Sequence, residues 1–289
     1  MKITVGIYYI ETLKKVAPIV DAAILNVEDF SCVYDRLDID SSIEICKKNN
    51  VEPIISLNKI VLEDELIKVR EFIHNYKGYT FIISDFGVAQ ICKELGIINN
   101  VIFDSPTMLC NSLDLELYSN YGFKAVSLSN EITLKDVIDS YNESKANIFY
   151  QVFGRKLMFY SKRRLVDLYK EFRNLSFENK DLTIKEEKRI YEIPIIQTKN
   201  GTFCYRQYLI SQLDKIKDLN FLSYAYFESL RLDDETLFKV INTYKKVIDQ
   251  IITIEEGLKE IYSLSLDIEE GFNYDDSVPT KEELIQWKE

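Results

Sequence analysis

Short apolar runs rich in β-forming residues alternate with amphipathic helical patterns along most of this chain. The runs fall at 3–8, 22–27, 53–57, 80–84, 101–103, 125–128, 148–152 and 221–226. This alternation is typical of parallel sheets, in which each strand leads into a helix and the chain returns by a right-handed crossover. Eight such runs predict an α/β fold of the (β/α)8 TIM-barrel type, either closed or distorted.

The length of the chain favours one large barrel over two smaller domains. With 289 residues, 46% of them hydrophobic, the chain can bury one large core. We therefore assign 1–262 to a single barrel domain. The remaining residues, 263–289, are rich in Asp and Glu and are assigned to an acidic C-terminal extension.

One long interruption separates the seventh run from the eighth. It covers about 155–205, which is too long for an ordinary loop, and it contains a helical pattern at 163–173 and a charged stretch at 178–189. Residues 191–205 predict a β-hairpin with Lys199-Asn200-Gly201 at its turn, because Asn-Gly readily adopts the positive φ angles of a tight turn. An insertion after a late strand lies at the C-terminal mouth of a barrel, where barrel active sites are built.

The composition argues against several classes of function. The net charge of −11 makes the average surface repel phosphate, so nucleic-acid binding requires a local basic patch or a partner. No run reaches the ~18–20 apolar residues of a membrane helix, and we expect a cytoplasmic protein without a membrane partner. The five cysteines show no Cys-x-x-Cys spacing, so neither disulfides nor a metal site is predicted. His74 is the single histidine, which argues against hydrolysis by a catalytic triad or a histidine-bound zinc.

Polar side chains follow several predicted strands at their C-terminal ends, where they could converge on one pocket. They are Asn58, Asp85, Asn111, Glu131, Gln151 and Glu228. The carboxyls of Asp85, Glu131 and Glu228 are candidate catalytic acids or bases. Asn58 and Asn111 are candidates for orienting a substrate. The alternative is that each residue caps a helix or forms a turn, which is a common use of such residues at these positions.

A basic segment follows the seventh run. Arg155, Lys156, Lys162, Arg163 and Arg164 lie within ten residues of an otherwise acidic chain. We interpret Arg155, Lys162 and Arg163 as substrate-binding residues that recognise a carboxylate or phosphate through charge-assisted hydrogen bonds. The alternative is a solvated helix face.

The same segment carries a family resemblance. From Tyr150 to Leu165 it reads Tyr-Gln-Val-Phe-Gly-Arg-Lys-Leu-Met-Phe-Tyr-Ser-Lys-Arg-Arg-Leu, and it resembles the stretch that marks the collagenase-like peptidase family U32. Further motifs follow the family's order from about 50 to 245. They include Ser56-Leu57-Asn58, Ser84-Asp85-Phe86-Gly87, Asn111, Ser127-Leu128-Ser129-Asn130-Glu131, residues 189–202 and Tyr226-Phe227-Glu228.

Many members of that family hold an iron–sulfur cluster in this segment. Here the family's histidine is Phe153, and its two cysteines are Leu157 and Arg164. The resemblance therefore implies a short, single-domain paralog with no cluster or other cofactor of its own. It also implies a partner, a longer cysteine-bearing paralog with which this chain would form a heterodimer, and tRNA bound through that partner.

Three functions remain open, in this order of preference. The resemblance implies first a subunit or scaffold in tRNA modification, the 5-hydroxylation of wobble uridine. The second is a stand-alone binding protein for a small anionic metabolite at the barrel mouth. The third is proteolysis, the activity for which the family is named, although the chain offers no serine, cysteine or metal arrangement with an activating base. Whether the chain is an enzyme stays open.

Overall fold

A computed structural model describes residues 1–35, 37–105, 108–185, 187 and 191–269. Within them the β-strands are β1 (Lys2–Ile7), β2 (Ala22–Asn26), β3 (Glu52–Leu57), β4 (Thr80–Ile83), β5 (Val101–Phe103), β6 (Ala125–Ser127), β7 (Ile148–Gly154), β8 (Leu157–Ser161), β9 (Thr183–Lys185), β10 (Glu192–Thr198), β11 (Gly201–Tyr205), β12 (Ile210–Ser211) and β13 (Tyr224–Phe227). The α-helices are α1 (Ile10–Val16), α2 (Ile39–Lys48), α3 (Leu66–Asn75), α4 (Phe86–Glu94), α5 (Ser112–Tyr121), α6 (Leu134–Ser144), α7 (Leu165–Arg173), α8 (Asp234–Ile248) and α9 (Ile254–Tyr262). Short 3-10 helices occupy Ala17–Ile19, Glu63–Glu65, Ile98–Asn100 and Leu213–Lys215.

Eight of the strands close into a parallel barrel. Strands β1 to β6 pair in chain order, β6 pairs with β7, and β13 lies between β7 and β1. The predicted (β/α)8 fold is therefore confirmed, and each barrel strand coincides with one of the eight predicted runs. The last strand begins at Tyr224 rather than at 221, because the chain still makes a turn at Phe221. Strand β12 adds an antiparallel pairing to the end of β7.

The barrel strands bury side chains on both of their faces. Inward-pointing residues form an apolar layer inside the barrel: Ala22, Ile24, Ile54, Ile82, Ile102, Ala125, Phe149 and Tyr224. Outward-pointing residues such as Val5 and Leu25 pack against helix residues such as Leu13 and Val69. Each fully buried aliphatic side chain contributes about 1.5–3 kcal/mol to the stability of the fold. Because both faces of the strands are buried, the strands appear in the sequence as near-continuous apolar runs.

An ion-pair cluster lies at the end of the barrel where the strands begin. Glu52 accepts hydrogen bonds from the Nζ atoms of Lys2 and Lys124, each at 2.6 Å, and from Thr80 Oγ1 at 2.7 Å. Burial alone would raise the pKa of the Glu52 carboxyl, but these bonds outweigh burial and lower that pKa to about 2. This end of the barrel is thus stabilised by ion pairs, so a functional site is expected at the opposite end, where the strands end.

The insertion between β7 and β13 forms a second, antiparallel sheet in the order β8-β11-β10-β9, with α7 packed on it. The predicted hairpin is confirmed as β10 and β11, joined at the pair Thr198↔Gly201. Among its turn residues, Gly201 has a positive φ of 142°, whereas Asn200 does not. The helix predicted at 163–173 begins at Leu165. Strands β8 and β9 were not predicted.

The tip of this hairpin is tied to the loop after β2. Asn200 Nδ2 donates to the carbonyl oxygens of Ser31, at 2.7 Å, and Glu28, at 3.0 Å. Thr198 Oγ1 donates to the carbonyl oxygen of Cys32 at 2.9 Å. The amide of Asn200 is thus used in fixing the insertion on the barrel rather than in making the turn.

The start of the predicted acidic extension lies beside the barrel, where Ile268 pairs with Leu209. The remainder, 270–289, lies outside the described residues, as does Arg189 of the charged stretch. In the part of the chain that is described, no helix is both long enough and apolar enough to cross a membrane.

Candidate functional site

A cavity of about 90 Å³ opens among the C-terminal ends of the barrel strands. Its polar lining comes from seven of the eight barrel strands or the residues directly after them: Tyr8, Asn26, Asn58, Asp104, Ser127, Gln151, Tyr226 and Glu228. Most of these residues continue the inward-pointing alternation of the strands. Asn26 lies two positions after Ile24, Asp104 two positions after Ile102, and Ser127 two positions after Ala125, so each points to the same side of its strand. The floor of the cavity is therefore the apolar layer, and its wall is the next layer of side chains along each strand.

Glu228 is the most tightly held carboxyl of the cavity. Its Oε1 accepts hydrogen bonds from Tyr8 Oη and the Leu230 amide, both at 2.9 Å. Its Oε2 accepts one from Tyr226 Oη at 2.8 Å. Burial raises the pKa of Glu228, and these donors offset only part of that effect. Glu228 is thus a carboxyl held in position by three hydrogen-bond donors, with a pKa above its ordinary value.

The backbone around Glu228 is closely packed. Gly154, at the end of β7, has a φ of +105°, and a Cβ atom placed on it would lie 2.4 Å from the carbonyl oxygen of Glu228. Only glycine tolerates both this φ and this approach. The sharp end of β7 therefore fixes where Glu228 stands.

Asp104 supplies a second carboxyl, directly after β5. Burial raises the pKa of Asp104, while a hydrogen bond from the Ser127 hydroxyl works in the opposite direction. The negative charge of Asp104 is close enough to contribute to the raised pKa of Tyr226, although burial is the main cause there. Asp104, Tyr226 and Glu228 line the same cavity.

Arg155 brings the positive charge of the cavity. Its Nε and Nη1 groups are buried and have no hydrogen-bond acceptor among the described residues. Burial, and next the charge of Arg231, lower the pKa of Arg155. Gln151 Nε2 donates to the carbonyl oxygen of Arg155 at 3.2 Å and so holds this turn over the cavity. Unsatisfied buried N–H groups are costly, so the position is suited to an anionic ligand.

The remaining wall is largely aromatic. It comprises Phe149, Tyr150 and Tyr205 together with Tyr8 and Tyr226. The hydroxyl of Tyr150 is buried and also has no partner among the described residues. The remaining wall of the cavity thus consists mainly of flat aromatic faces.

A larger cleft of about 530 Å³ lies between the barrel and the insertion. It shares Tyr8 and Val33 with the inner cavity, and its outer wall includes Tyr9, Gln197 and Arg231. The Nε2 group of Gln197 is buried without an acceptor among the described residues. The insertion thus provides one side of a recess next to the inner cavity.

Of the eight predicted site residues, the structure brings three together at the cavity. They are Asn58, Arg155 and Glu228, joined by Gln151 from the wider set of strand-end residues. Asn58 Oδ1 accepts from the Cys32 amide at 2.8 Å, so this side chain also fixes the loop after β2.

The other five predicted residues lie elsewhere. Asp85 and Asn111 cap α4 and α5, accepting hydrogen bonds from the amides three residues later, as the helix-cap alternative had it. Glu131 is exposed. Lys162 donates to Glu65 Oε2 at 2.7 Å and to the Ile60 carbonyl oxygen at 3.0 Å, which ties the insertion to the loop after β3. Arg163 is exposed just before α7.

Asp104, Tyr8, Tyr150 and Tyr226 line the cavity but were not predicted as site residues. The signal for Asp104 was available, because it is the first residue after β5 and lies two positions beyond the inward-pointing Ile102. For β5, the sequence reasoning selected Asn111 instead, which lies outside the regular alternation.

The cluster-binding positions of the family resemblance do not fit an iron–sulfur cluster here. Phe153 is fully buried in the core, Leu157 borders the cavity, and Arg164 pairs with Asp167 at 2.6 Å. None of these side chains is a ligand for iron. Among the described residues, no group of three or more His, Cys, Asp or Glu side chains is arranged to hold a metal ion.

Comparisons with known proteins agree with this architecture. The chain is 20% identical over 270 residues to tRNA hydroxylation protein P2 of Bacillus subtilis, covering 85% of this chain and 86% of that protein. It is 23% identical over 282 residues to an uncharacterized protease of Methanocaldococcus jannaschii, covering 87% of this chain but only 66% of that longer protein. The solved structure of the U32 peptidase Mk0906 superposes with a TM-score of 0.51 at 8% identity, over 79% of this chain and 92% of that one, which supports the fold alone. The family model for Peptidase family U32 matches residues 17–274, so the chain belongs to peptidase family U32.

Proposed function

We propose that this protein takes part in tRNA hydroxylation, at the 5-position of wobble uridine, and that it does so by binding a small anionic molecule in the barrel-mouth cavity. One observation carries the proposal: Arg155 lines the cavity, and its buried Nε and Nη1 groups have no acceptor among the described residues. The name of the Bacillus subtilis relative supports the reaction. A role on tRNA implies a cytoplasmic location.

The electrostatics of the cavity favour an anion over a neutral molecule. Burial raises the pKa of both Asp104 and Glu228, and neither carboxyl accepts a hydrogen bond from the Nε or Nη1 group of Arg155. A ligand carboxylate or phosphate would satisfy the guanidinium through two N–H groups at once. Glu228 or Asp104 could then exchange a proton with an oxygen of the same ligand as a general acid or base.

The partner in this proposal is a longer, cysteine-bearing relative. The positions at which the family resemblance places cluster ligands hold Phe153, Leu157 and Arg164 in this chain. If the hydroxylation requires an iron–sulfur cluster, the partner supplies it, and this chain supplies the anion site. The cleft of about 530 Å³ beside the cavity is within the size range of small-molecule sites and could admit a nucleotide.

The test is nucleoside mass spectrometry of total tRNA from cells in which the gene is deleted and then restored as variants. We expect 5-hydroxyuridine-derived nucleosides to fall in the deletion and to return with the wild-type gene. Arg155→Met should not restore them. Arg70→Met is the matched control, because Arg70 lies on the surface in an ion pair with Glu94, and it should restore them fully. Equal restoration by both variants would contradict the proposal.

A second candidate is a stand-alone binding protein for a small anionic metabolite. The same two unpaired N–H groups of Arg155, on Nε and Nη1, favour it, since anion binding needs no tRNA. Native mass spectrometry of the purified protein would show a retained anion in the wild type and none in Arg155→Met. If tRNA nucleosides stay unchanged in the deletion while this ligand is found, the second candidate replaces the first.

Proteolysis is the weakest of the three. The cysteine of the cavity, Cys32, donates its thiol hydrogen to the Asn58 carbonyl oxygen at 3.0 Å, and burial raises the pKa of that thiol, which opposes nucleophilic attack. The single histidine, His74, is exposed on α3. Cleavage of gelatin by the pure protein would restore this candidate.

A further inference from the structure

The cleft beside the inner cavity is large enough for a ligand of its own. Its volume of about 530 Å³ lies within the range of small-molecule sites, whereas the inner cavity measures about 90 Å³. Arg155 lines the inner cavity rather than the cleft. The anion site therefore explains the smaller recess only.

The charges around the cleft balance one another. Among the described residues that line it, the charged side chains are two acidic and two basic ones: Asp35, Asp181, Lys180 and Arg231. The Nη2 group of Arg231 also joins the barrel to the insertion, because it donates to the carbonyl oxygens of Leu182 at 3.0 Å and Ile195 at 3.4 Å. A cleft lined by equal numbers of opposite charges selects neither an anion nor a cation, so an uncharged ligand suits it best.

Aromatic and apolar side chains form much of the cleft wall. Tyr9, directly before α1, is 57% exposed, and Tyr34 lies in the loop after β2. Ile195 of β10 and Leu230 after β13 add buried apolar surface. An open tyrosine ring at the edge of an apolar recess is a surface on which flat heterocycles stack, and every nucleobase has such a flat face.

The cleft meets the inner cavity at Glu228. Tyr8 lines both recesses, and its Oη donates to Glu228 Oε1 at 2.9 Å. Leu230 lines the cleft, and its amide donates to the same oxygen at 2.9 Å. Two residues of the cleft wall thus hold a carboxyl that lines the inner cavity.

We propose that the cleft binds a flat, uncharged heterocycle, which under the proposed function is the uracil base that receives the hydroxyl group. This inference deepens the proposed function and rests on it: Arg155 holds the small anion in the inner cavity, and the cleft holds the base. Tyr8 and Glu228 lie where the two ligands adjoin.

The experiment is saturation-transfer difference NMR of the purified protein titrated with uridine, which carries the base without a phosphate. The base protons of uridine should receive saturation from the wild type. Tyr9→Ala should weaken uridine binding about fivefold or more through lost stacking, and Tyr9→Phe should retain it because the ring remains. The matched control is Tyr262→Ala, which should not change binding, since Tyr262 is 68% exposed on α9 and lies outside the cleft.

The outcomes separate this inference from the proposed function. Uridine binding that depends on the Tyr9 ring supports the cleft as a base site even if tRNA nucleosides are unchanged in the deletion, a result that would overturn only the tRNA-hydroxylation role. If uridine receives no saturation, or binds equally to the wild type and Tyr9→Ala, the base site is overturned and the anion site at Arg155 is unaffected. Equal weakening by Tyr9→Ala and Tyr262→Ala would show non-specific contact with tyrosine rings and would also overturn the base site.

Discussion

Replacement of Gly154 with alanine tests how strictly the end of β7 positions Glu228. Alanine at a φ of +105° costs about 1–2 kcal/mol in backbone strain. Its Cβ would stand 2.4 Å from the Glu228 carbonyl oxygen and 2.7 Å from the Glu228 Cβ, and relief of such overpacking costs about a further 1–3 kcal/mol. We therefore expect the free energy of unfolding in urea to fall by about 2–5 kcal/mol. Because the strain is relieved by moving Glu228, this variant should also fail to restore hydroxylated tRNA nucleosides.

Gly96→Ala is the matched control for backbone strain. Gly96 has a positive φ of 72°, but no atom lies within 4 Å of the position its Cβ would take. Its alanine variant should lose only the strain term, about 1–2 kcal/mol, and keep full function in cells. The reasoning about Glu228 fails if the two variants lose equal stability, or if Gly154→Ala restores the nucleosides as well as Gly96→Ala does.

Three further predictions concern groups outside the cavity. The hydrogen bonds that lower the pKa of Glu52 from 4.5 to about 2 stabilise the folded state above pH 4.5. This contribution to the free energy of unfolding is lost as the pH falls through 2. Urea unfolding at several pH values should show a flatter acid dependence for Glu52→Gln than for the wild type; identical slopes would refute this. Asp85→Ala should lower the free energy of unfolding in urea by about 1 kcal/mol, because the N-cap of α4 is lost. The hydroxylated tRNA nucleosides should be unaffected. Their loss would mean that Asp85 acts in the functional site. A thiol reagent should label exposed Cys110 first and Cys46 and Cys92 last, because burial raises the pKa of the latter two to about 11 and about 12; mass spectrometry showing early labelling of either would contradict their burial.

The barrel was predictable because its signal is local and repeated. Each barrel strand is buried on both faces, so each appears in the sequence as a short apolar run, and eight runs separated by helices leave little choice of topology. The hairpin was predictable for a similar reason, since Asn200-Gly201 lies between two β-forming segments. The physical reason given for it was only half right, because Gly201 alone has the positive φ.

The insertion's other strands were harder to predict. Strand β9 is exposed along its length, and β8 is only partly covered, so neither shows the apolar alternation that marks a strand. These two strands form by pairing with β10 and β11, and their own sequences carry no clear strand pattern.

The site was predictable only where the alternation of strand side chains was followed through to the strand end. Asp104 and Glu228 each lie two residues beyond an inward-pointing residue of the same strand, Ile102 and Tyr226. Asp85 lies three residues beyond the inward-pointing Ile82, out of phase with the alternation, and it caps a helix instead. The presence of a polar residue at a strand end therefore selects too many candidates. The position of that residue in the strand alternation distinguishes cavity residues from helix caps. The unpaired state of Arg155 depends on tertiary packing, which no local pattern records.

The bonds between the hairpin tip and the loop after β2 couple two segments that are far apart in the sequence. Asn200 donates to the carbonyl oxygens of Glu28 and Ser31, and Thr198 donates to that of Cys32, so residues 166 to 172 positions apart share one set of bonds. A chimera that takes 155–205 from a relative would meet a loop shaped for a different tip. We therefore expect such a chimera to keep its stability in urea unfolding only when the insertion and 28–32 are exchanged together.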